Sequence, residues 1–397
     1  MSMLSGGPHP ALPQRGREID GGLRGDALVR ELERANLLGR GGAGFPVARK
    51  WRTVKANGNG RAVVLANGAE GEPLSRKDRT LMVERPHLVI DGALLAADAV
   101  RASDIIFYVG NEHRAAVSAM RRALAERHER AAQRARLVEA PAGYISGEES
   151  AAVHYINAGD ARPTVTPPRP FERGIDGRPT LVQNVESLAA AALHASGALN
   201  GTALFTTSGA VRRSGVYELP PDVAPEAVVD LAGGLAKDVQ AVLIGGYFGS
   251  WASAEEVWSL TLDSNSLRAR GLTLGCGVLY FLPADSCGVD ATARIMSYLA
   301  GQSARQCGPC VFGLGAIATA TRRLAERAPQ AEDLARLARW SGLLAGRGAC
   351  KHPDGATGLL RSALEVFADD FVAHQQRRCI TRRALPDHSR VLAEAVA

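Results

Sequence analysis

Apolar and polar positions change period several times along the chain, and each change marks an element. Ala62-Val63-Val64-Leu65-Ala66 is a short apolar run ending in Asn67-Gly68, the pattern of a buried strand and its exit turn. Pro86 opens a helical stretch to about Val100, with proline at an allowed first-turn position. Ile105 to Val109 repeats the buried-strand pattern and stops at Gly110-Asn111. Ala115 to Ala135 reads as one long helix with a polar face, and Leu137-Val138 begins a third strand. This alternation implies a parallel sheet covered on both faces, and such sheets take ligands beyond the carboxyl ends of their strands. Prolines exclude Arg162 to Pro170 from regular helix and central strand, so extended chain is expected there. Asn184 to Leu199 then closes the domain as a helix.

From about Gly201 the texture changes. Ala203 to Ser208, Val216 to Leu219, Val239 to Ile244 and Val278 to Leu282 are short β-type runs separated by turn signals, which predicts a small α+β module. From Asp290 onward the pattern is helical. Leu334, Leu337, Trp340 and Leu344 share one face, as do Leu360, Leu364, Phe367 and Phe371, so several short amphipathic helices should form a bundle.

Composition narrows the function classes. The 397 residues allow two or three domains, and 46% hydrophobic with 22% charged residues is ordinary for a soluble protein. Apolar stretches are broken by Asp91, Asp98 and His194 before they could span a bilayer. Met1 to Gly22 has no apolar core, so no secretory signal is expected, and a cytoplasmic location follows, with docking on a membrane-bound partner left open. The net charge of +6 is spread among glutamates, as in Met120 to Arg136. With no basic stripe interleaved with aromatics, nucleic-acid binding is not expected; an acidic electron carrier suits the charge better. All six cysteines lie between Cys276 and Cys379, which marks the C-terminal region as special rather than disulfide-framed.

The candidate chemistry begins at Gly39-Arg40-Gly41-Gly42-Ala43-Gly44-Phe45, followed by Pro46, Arg49 and Lys50. Four glycines leave a backbone with little side-chain cover, able to bring its N–H groups close to a ligand. The adjacent cations make a phosphate or another anionic cofactor the natural guest; a plain flexible loop is the competing reading. Asn67-Gly68-Ala69-Glu70-Gly71 follows the first strand, and Gly143 to Ser150, with Gly147, Glu148 and Glu149, follows the third. Thr180 to Glu186, with Gln183 and Asn184, enters the closing helix. Each could bind a hydroxyl or ring edge, or simply serve as a polar turn or helix cap.

These turns, in this order, resemble the flavin-binding subunit of respiratory complex I and its relatives in soluble hydrogenases and formate dehydrogenases. The matching stretches are GRGGAGFP with Lys50-Trp51, NGAEGEP with Lys77 to Arg79, GYISGEES and TLVQNVESLA. Downstream, Ser208 to Val211, Gly215 to Pro220 and Cys307-Gly308-Pro309-Cys310 also match. The resemblance covers residues 30 to 379. It implies a Rossmann-like α/β FMN domain over 1–199, a β-grasp-like (SLBB-type) module over 200–285, and a helical iron–sulfur domain over 286–397. It further implies that Gly39, Arg40, Gly41, Gly42, Lys50, Asn67, Glu70, Gly147, Glu148, Gln183 and Asn184 form the flavin pocket, with Phe45 and Glu149 toward NADH. No separate catalytic acid–base pair is called for.

Several positions depart from the family. Ala69 stands where an aspartate is usual. Thr53 and Arg169 stand where relatives carry phenylalanines against the NADH adenine, and Thr166 replaces a lysine. The cluster run has Ala304 in place of its first cysteine, leaving Cys307, Cys310 and the distant Cys350. His352 is the preferred fourth ligand of a [4Fe–4S] cluster, since imidazole replaces thiolate in some clusters. An open iron site, a three-iron cluster, a Cys₃His zinc site and unliganded thiols are the alternatives. Cys276, Cys287 and Cys379 lack ligand-like spacing and are expected to be inert thiols. The expected activity is an NADH-dehydrogenase-like oxidoreductase subunit passing electrons from FMN to a cluster and on to a ferredoxin-like carrier or a complex subunit. The alternatives are a flavin and iron–sulfur relay that does not use NADH, and a zinc-stabilised scaffold.

Overall fold

A computed structural model of the chain describes residues 3–4, 22–198 and 201–381. Most of the Met1–Gly22 stretch, Leu199 and the expected 199/200 boundary lie outside them. The chain divides into two compact units. The first comprises 1–71, 76–204 and 218–221; the second comprises 72–75, 205–217 and 222–397.

The first unit is built on a four-stranded sheet in the order β3-β2-β1-β4, where β1 is Ala62–Gly68, β2 Ala102–Gly110, β3 Arg136–Ala140 and β4 Thr180–Asn184. All three pairings are parallel. β1 is buried on both faces from Ala62 to Ala66, which explains its unbroken apolar run. Val63, Leu65, Ile106, Tyr108 and Val182 pack on one face with Ala152 and Val153 of the helix Glu149–Ala158. The helix Pro86–Val100 has the expected bounds. β1 leads on to β2 at one side and lies beside β4 at the other, so the strand order reverses there, where such sheets open a ligand crevice.

Two helices differ from expectation. The long helix from Ala115 to Ala135 is instead Arg114–Ala125 followed by the short Arg130–Gln133. The break lies at Arg127, whose guanidinium is buried and bonds to Asp91 and Glu129. A buried arginine needs its partners, and reaching them takes the chain off the helix axis. The closing helix is also shorter than expected, at Val185–Ala195.

The second unit carries a mixed sheet in the order β6-β5-β9-β7-β8. These strands are β5 Ala203–Gly209, β6 Gly215–Leu219, β7 Val239–Ile244, β8 Ser250–Ser253 and β9 Val278–Pro283. β5 runs parallel to β9, while β7 is antiparallel to both β9 and β8. β8 was not expected, because Ser-Trp-Ala-Ser has no apolar run. Its Trp251 is buried, T-shaped to Phe367 at 5.2 Å, and its backbone N–H bonds to Ser362 Oγ. The helices are Gly288–Gly301, Gly315–Ala325, Asp333–Leu344, His352–Val366 and Ala368–Gln375. Leu337, Leu360, Phe367 and Phe371 are buried as expected, whereas Leu334, Trp340, Leu344 and Leu364 are half-buried. No helix among the described residues is long and apolar enough to cross a membrane.

Candidate functional site

The glycine-rich loop is closed on itself. Leu38 bridges Pro46, Gly39 N–H donates to Phe45 O at 2.9 Å, and Val47 N–H donates to Leu37 O at 3.0 Å. The chain then enters the helix Val47–Gly58. Gly42 and Gly44 have φ of +104° and +61°, and a Cβ on either would meet nothing within 4 Å. Their left-handed backbone therefore borders open space, which is what a loop presenting N–H groups to a ligand requires. Gly41 faces the other way, where a Cβ would come 3.2 Å from Asn184 Cβ. Arg40 N–H bonds to Ser187 Oγ at 2.8 Å. These links fix the loop against the start of the helix Val185–Ala195.

The polar turns meet at the carboxyl ends of β1 and β4. Asn67 pairs in register with Asn184. Asn67 Nδ2 donates to Gly147 O at 2.8 Å, and its Oδ1 accepts from Ala69 N–H. A Cβ on Gly147 would lie 2.5 Å from Ala69 O, so only glycine allows the two turns to come this close. Lys50, on the helix after the loop, pairs with Glu149 at 2.6 Å, both partly exposed. Trp51 is buried and donates to Gln183 Oε1 at 3.3 Å. Phe45 is 45% exposed with the Arg49 guanidinium 5.6 Å over its ring.

Three expected ligand groups have structural work within the chain. Glu70 accepts from the N–H groups of Asp78 and Arg79, capping the helix Lys77–Glu84. Glu148 caps the helix Glu149–Ala158 by accepting from Ser150 and Ala151 N–H. Asn184 caps its own helix with Oδ1 and donates from Nδ2 to Asp78 Oδ2 at 2.7 Å. Side-chain caps of this kind satisfy the orphan donors of a first turn.

Beneath them lies a buried charge group that the sequence does not single out. Lys77 Nζ stands 2.6 Å from Asp78 Oδ1 and 2.8 Å from Glu186 Oε2, with all three side chains within 9% exposure. Burial alone would lower the Lys77 pKa, but the carboxylates of Asp78, Glu186 and Glu70 outweigh it and hold the amine protonated. Burial pushes Asp78 up to about 7, against the pull of Lys77. Arg40 Nε makes no hydrogen bond among the described residues and stands 4.0 Å from Glu186 Oε1. Lys77 and Asp78 are visible in the sequence only as part of a matching motif, and Glu186 looks like an ordinary first-turn acid.

The cysteine site lies in the second unit. Cys307 precedes a π-helical turn, Pro309–Leu314, and its carbonyl accepts from Cys310 and Val311 N–H. Such turns recur at functional sites. Burial first, and then the neighbouring Cys307 and Cys350, together push the Cys310 thiol up to about 12, so the three thiols share one neighbourhood. The Ser303 hydroxyl, beside Cys310, acts on it in the opposite sense. His352 is buried, donates from Nε2 to Leu299 O at 2.8 Å and stands T-shaped to Phe248. A carbonyl can only accept, so Nδ1 is the nitrogen His352 has to offer a metal.

Comparison with known proteins agrees with this layout. Residues 32–193 match the family described as the Nuo51 FMN-binding domain, and residues 290–374 match the NADH-ubiquinone oxidoreductase-F iron-sulfur binding region. The second F subunit of NADH-quinone oxidoreductase in Rhizobium meliloti (strain 1021) is 32% identical over 94% of each chain. The chain belongs to the family of NADH-quinone oxidoreductase F subunits. The F subunit of Escherichia coli (strain K12) is 31% identical over 89% of this chain and 85% of its own. The crystal structure of an NAD+-reducing [NiFe]-hydrogenase in the H2-reduced state has a TM-score of 0.80 at 29% identity, covering 90% of this chain. This chain spans 63% of that one.

The residues of this family member fit FMN. The loop leaves open space beside Gly42 and Gly44, Arg40 brings a buried nitrogen with no hydrogen bond among the described residues, and Lys50 supplies a partly exposed cation. Cys307, Cys310 and Cys350 supply three thiolates, one fewer than a four-cysteine cluster takes. The Cys287 and Cys379 thiols, expected to be inert, lie close to His374.

Proposed function

We propose that the chain is the flavin-bearing, NADH-oxidising subunit of a multi-subunit oxidoreductase. Its FMN would be held by Gly39, Arg40, Gly41, Gly42, Lys50, Asn67, Gln183 and Asn184, and the cluster by Cys307, Cys310 and Cys350. Bound FMN supplies the exchange between a two-electron donor and one-electron carriers. The observation that carries the reading is the convergence of the glycine loop, Asn67, Asn184 and the Lys50–Glu149 pair at the strand-order reversal. Lys50 and Arg40 would neutralise the anionic cofactor, and Gly147 would hold the third turn against the first. Glu70, Glu148 and Asn184 would keep the pocket loops rigid through the helices they cap. Phe45 and Glu149, both partly exposed, would receive the nucleotide. The fourth iron would take a non-thiolate donor, His352 through Nδ1 or the Ser303 hydroxyl. The partner would be another subunit of the complex, and any membrane would be met through that partner, from a cytoplasmic location.

Anaerobic titration of the flavin- and cluster-loaded protein with NADH tests this. Stoichiometric bleaching of the flavin absorbance is expected. Bleaching by dithionite alone would favour a different donor. That second reading has its own support in Thr53, whose hydroxyl bonds to Arg49 O and offers no flat face for a base. A colourless protein after loading would leave the scaffold reading.

A further inference from the structure

In the helical part of the second unit Cys287 meets two side chains from much later in the chain, His374 and Cys379. Cys287 stands at the N-cap of the helix Gly288–Gly301, His374 lies near the end of the helix Ala368–Gln375, and Cys379 follows that helix. Cys287 Sγ is 3.3 Å from His374 Nε2, and one donor atom from each of the three residues lies within 4.8 Å of the other two. Cys287 and His374 are 4% and 2% exposed. Arg377, at φ +60°, turns the chain back after the helix, with Arg378 N–H bonding to Ala373 O, and this return brings Cys379 to the other two.

The imidazole is already set for a metal. His374 Nδ1 is 2.8 Å from Leu324 O. Since a carbonyl cannot donate, Nδ1 carries the proton and Nε2 turns its lone pair toward the thiols. A metal-binding histidine is ordinarily fixed in just this way, by donating its other N–H to a backbone carbonyl. The spacing also fits. With Zn–S near 2.3 Å and Zn–N near 2.0 Å, tetrahedral ligands stand about 3.6 Å apart for sulfur and nitrogen, close to the 3.3 Å found.

We propose that Cys287, His374 and Cys379 form a zinc site separate from the iron–sulfur cysteines. Two thiolates and one imidazole are the donor set of a tetrahedral, redox-inert ion, with a water or other small ligand in the fourth position. Binding would release the thiol protons to solvent. The ion would tie the chain after the helix Ala368–Gln375 to the first turn of the helix that leads toward Cys307, and its role is structural through that link.

Metal analysis of the full-length protein, followed by cobalt substitution, tests the site. About one zinc per chain is expected in addition to iron. Co²⁺ should give tetrahedral d–d bands with thiolate-to-cobalt charge transfer. Cys379→Ser and His374→Gln should each lose the zinc while keeping flavin and iron. Cobalt spectra of the unmutated protein decide the question if either variant fails to fold. Folded protein that takes up neither zinc nor cobalt overturns the proposal. So does zinc retained by both variants, or a Cys287–Cys379 disulfide in protein isolated without reductant.

Discussion

A methyl group at Gly147 would sit 2.5 Å from the carbonyl oxygen of Ala69, and that oxygen is backbone that cannot rotate away. Carbon and oxygen normally rest near 3.3 Å or beyond, so in Gly147→Ala the turn after β3 must retreat by somewhat under ~1 Å from the turn after β1. Overpacking of this kind costs about 1–3 kcal/mol. The retreat also stretches the 2.8 Å bond from Asn67 Nδ2 to Gly147 O, worth about 1 kcal/mol. The first unit should therefore lose about 2–4 kcal/mol of stability. FMN affinity should fall about tenfold or more, since 1.4 kcal/mol of displaced geometry suffices for that. Gly159→Ala is the control. Gly159 closes the far end of the helix Glu149–Ala158 at φ +74°, with nothing within 4 Å of a Cβ, so its cost is backbone strain alone, about 1 kcal/mol. Urea unfolding and FMN titration of the three proteins read both quantities. Equal flavin affinity in Gly147→Ala and the unmutated protein would refute the idea that close approach of these turns shapes the pocket.

Other outcomes follow from single groups. Lys50→Met should weaken FMN about tenfold through loss of a charge-assisted contact, whereas Glu149→Gln should leave flavin content intact and raise the NADH concentration needed for reduction; isothermal flavin titration and steady-state reduction separate the two. Pulsed EPR of the reduced cluster should show a nitrogen coupling that His352→Ala abolishes; if no such coupling is present, Ser303→Ala should be the variant that shifts the spectrum. His194 is held below the ordinary histidine range by burial, partly opposed by Glu31. A histidine depressed in the folded state contributes stability above pH about 6.5 that is lost as the pH falls through its lowered pKa. Thermal melts should therefore fall below pH about 6.5, and His194→Asn should flatten that slope.

What the sequence made legible was set by how local each signal is. The apolar run of β1 and the proline at the start of Pro86–Val100 carry their structure within a few residues, and both elements stand where expected. The helix after β2 broke because Arg127 pairs with Asp91, 36 positions away in the chain, and nothing near Arg127 announces that partner. β8 escaped for the same reason: Ser-Trp-Ala-Ser becomes a strand through pairing with β7. The site divides along the same line. The glycine loop and the order of the polar turns were readable, but the work of individual carboxylates was not. Glu70 and Glu148 look like ligands in a motif, yet both accept from first-turn N–H groups. A helix that begins at a strand's carboxyl end places its capping residue at the ligand crevice, so a cap and a ligand group share one position and one chemistry. The partner settles which it is. The cysteines make the same argument in reverse. Cys307 and Cys310 announce themselves by spacing, whereas Cys287 and Cys379 come together because the helix Ala368–Gln375 brings His374 and the chain beyond it back to the start of Gly288–Gly301. Ligand spacing in sequence identifies sites built on one turn; sites built by packing have to be found from the fold.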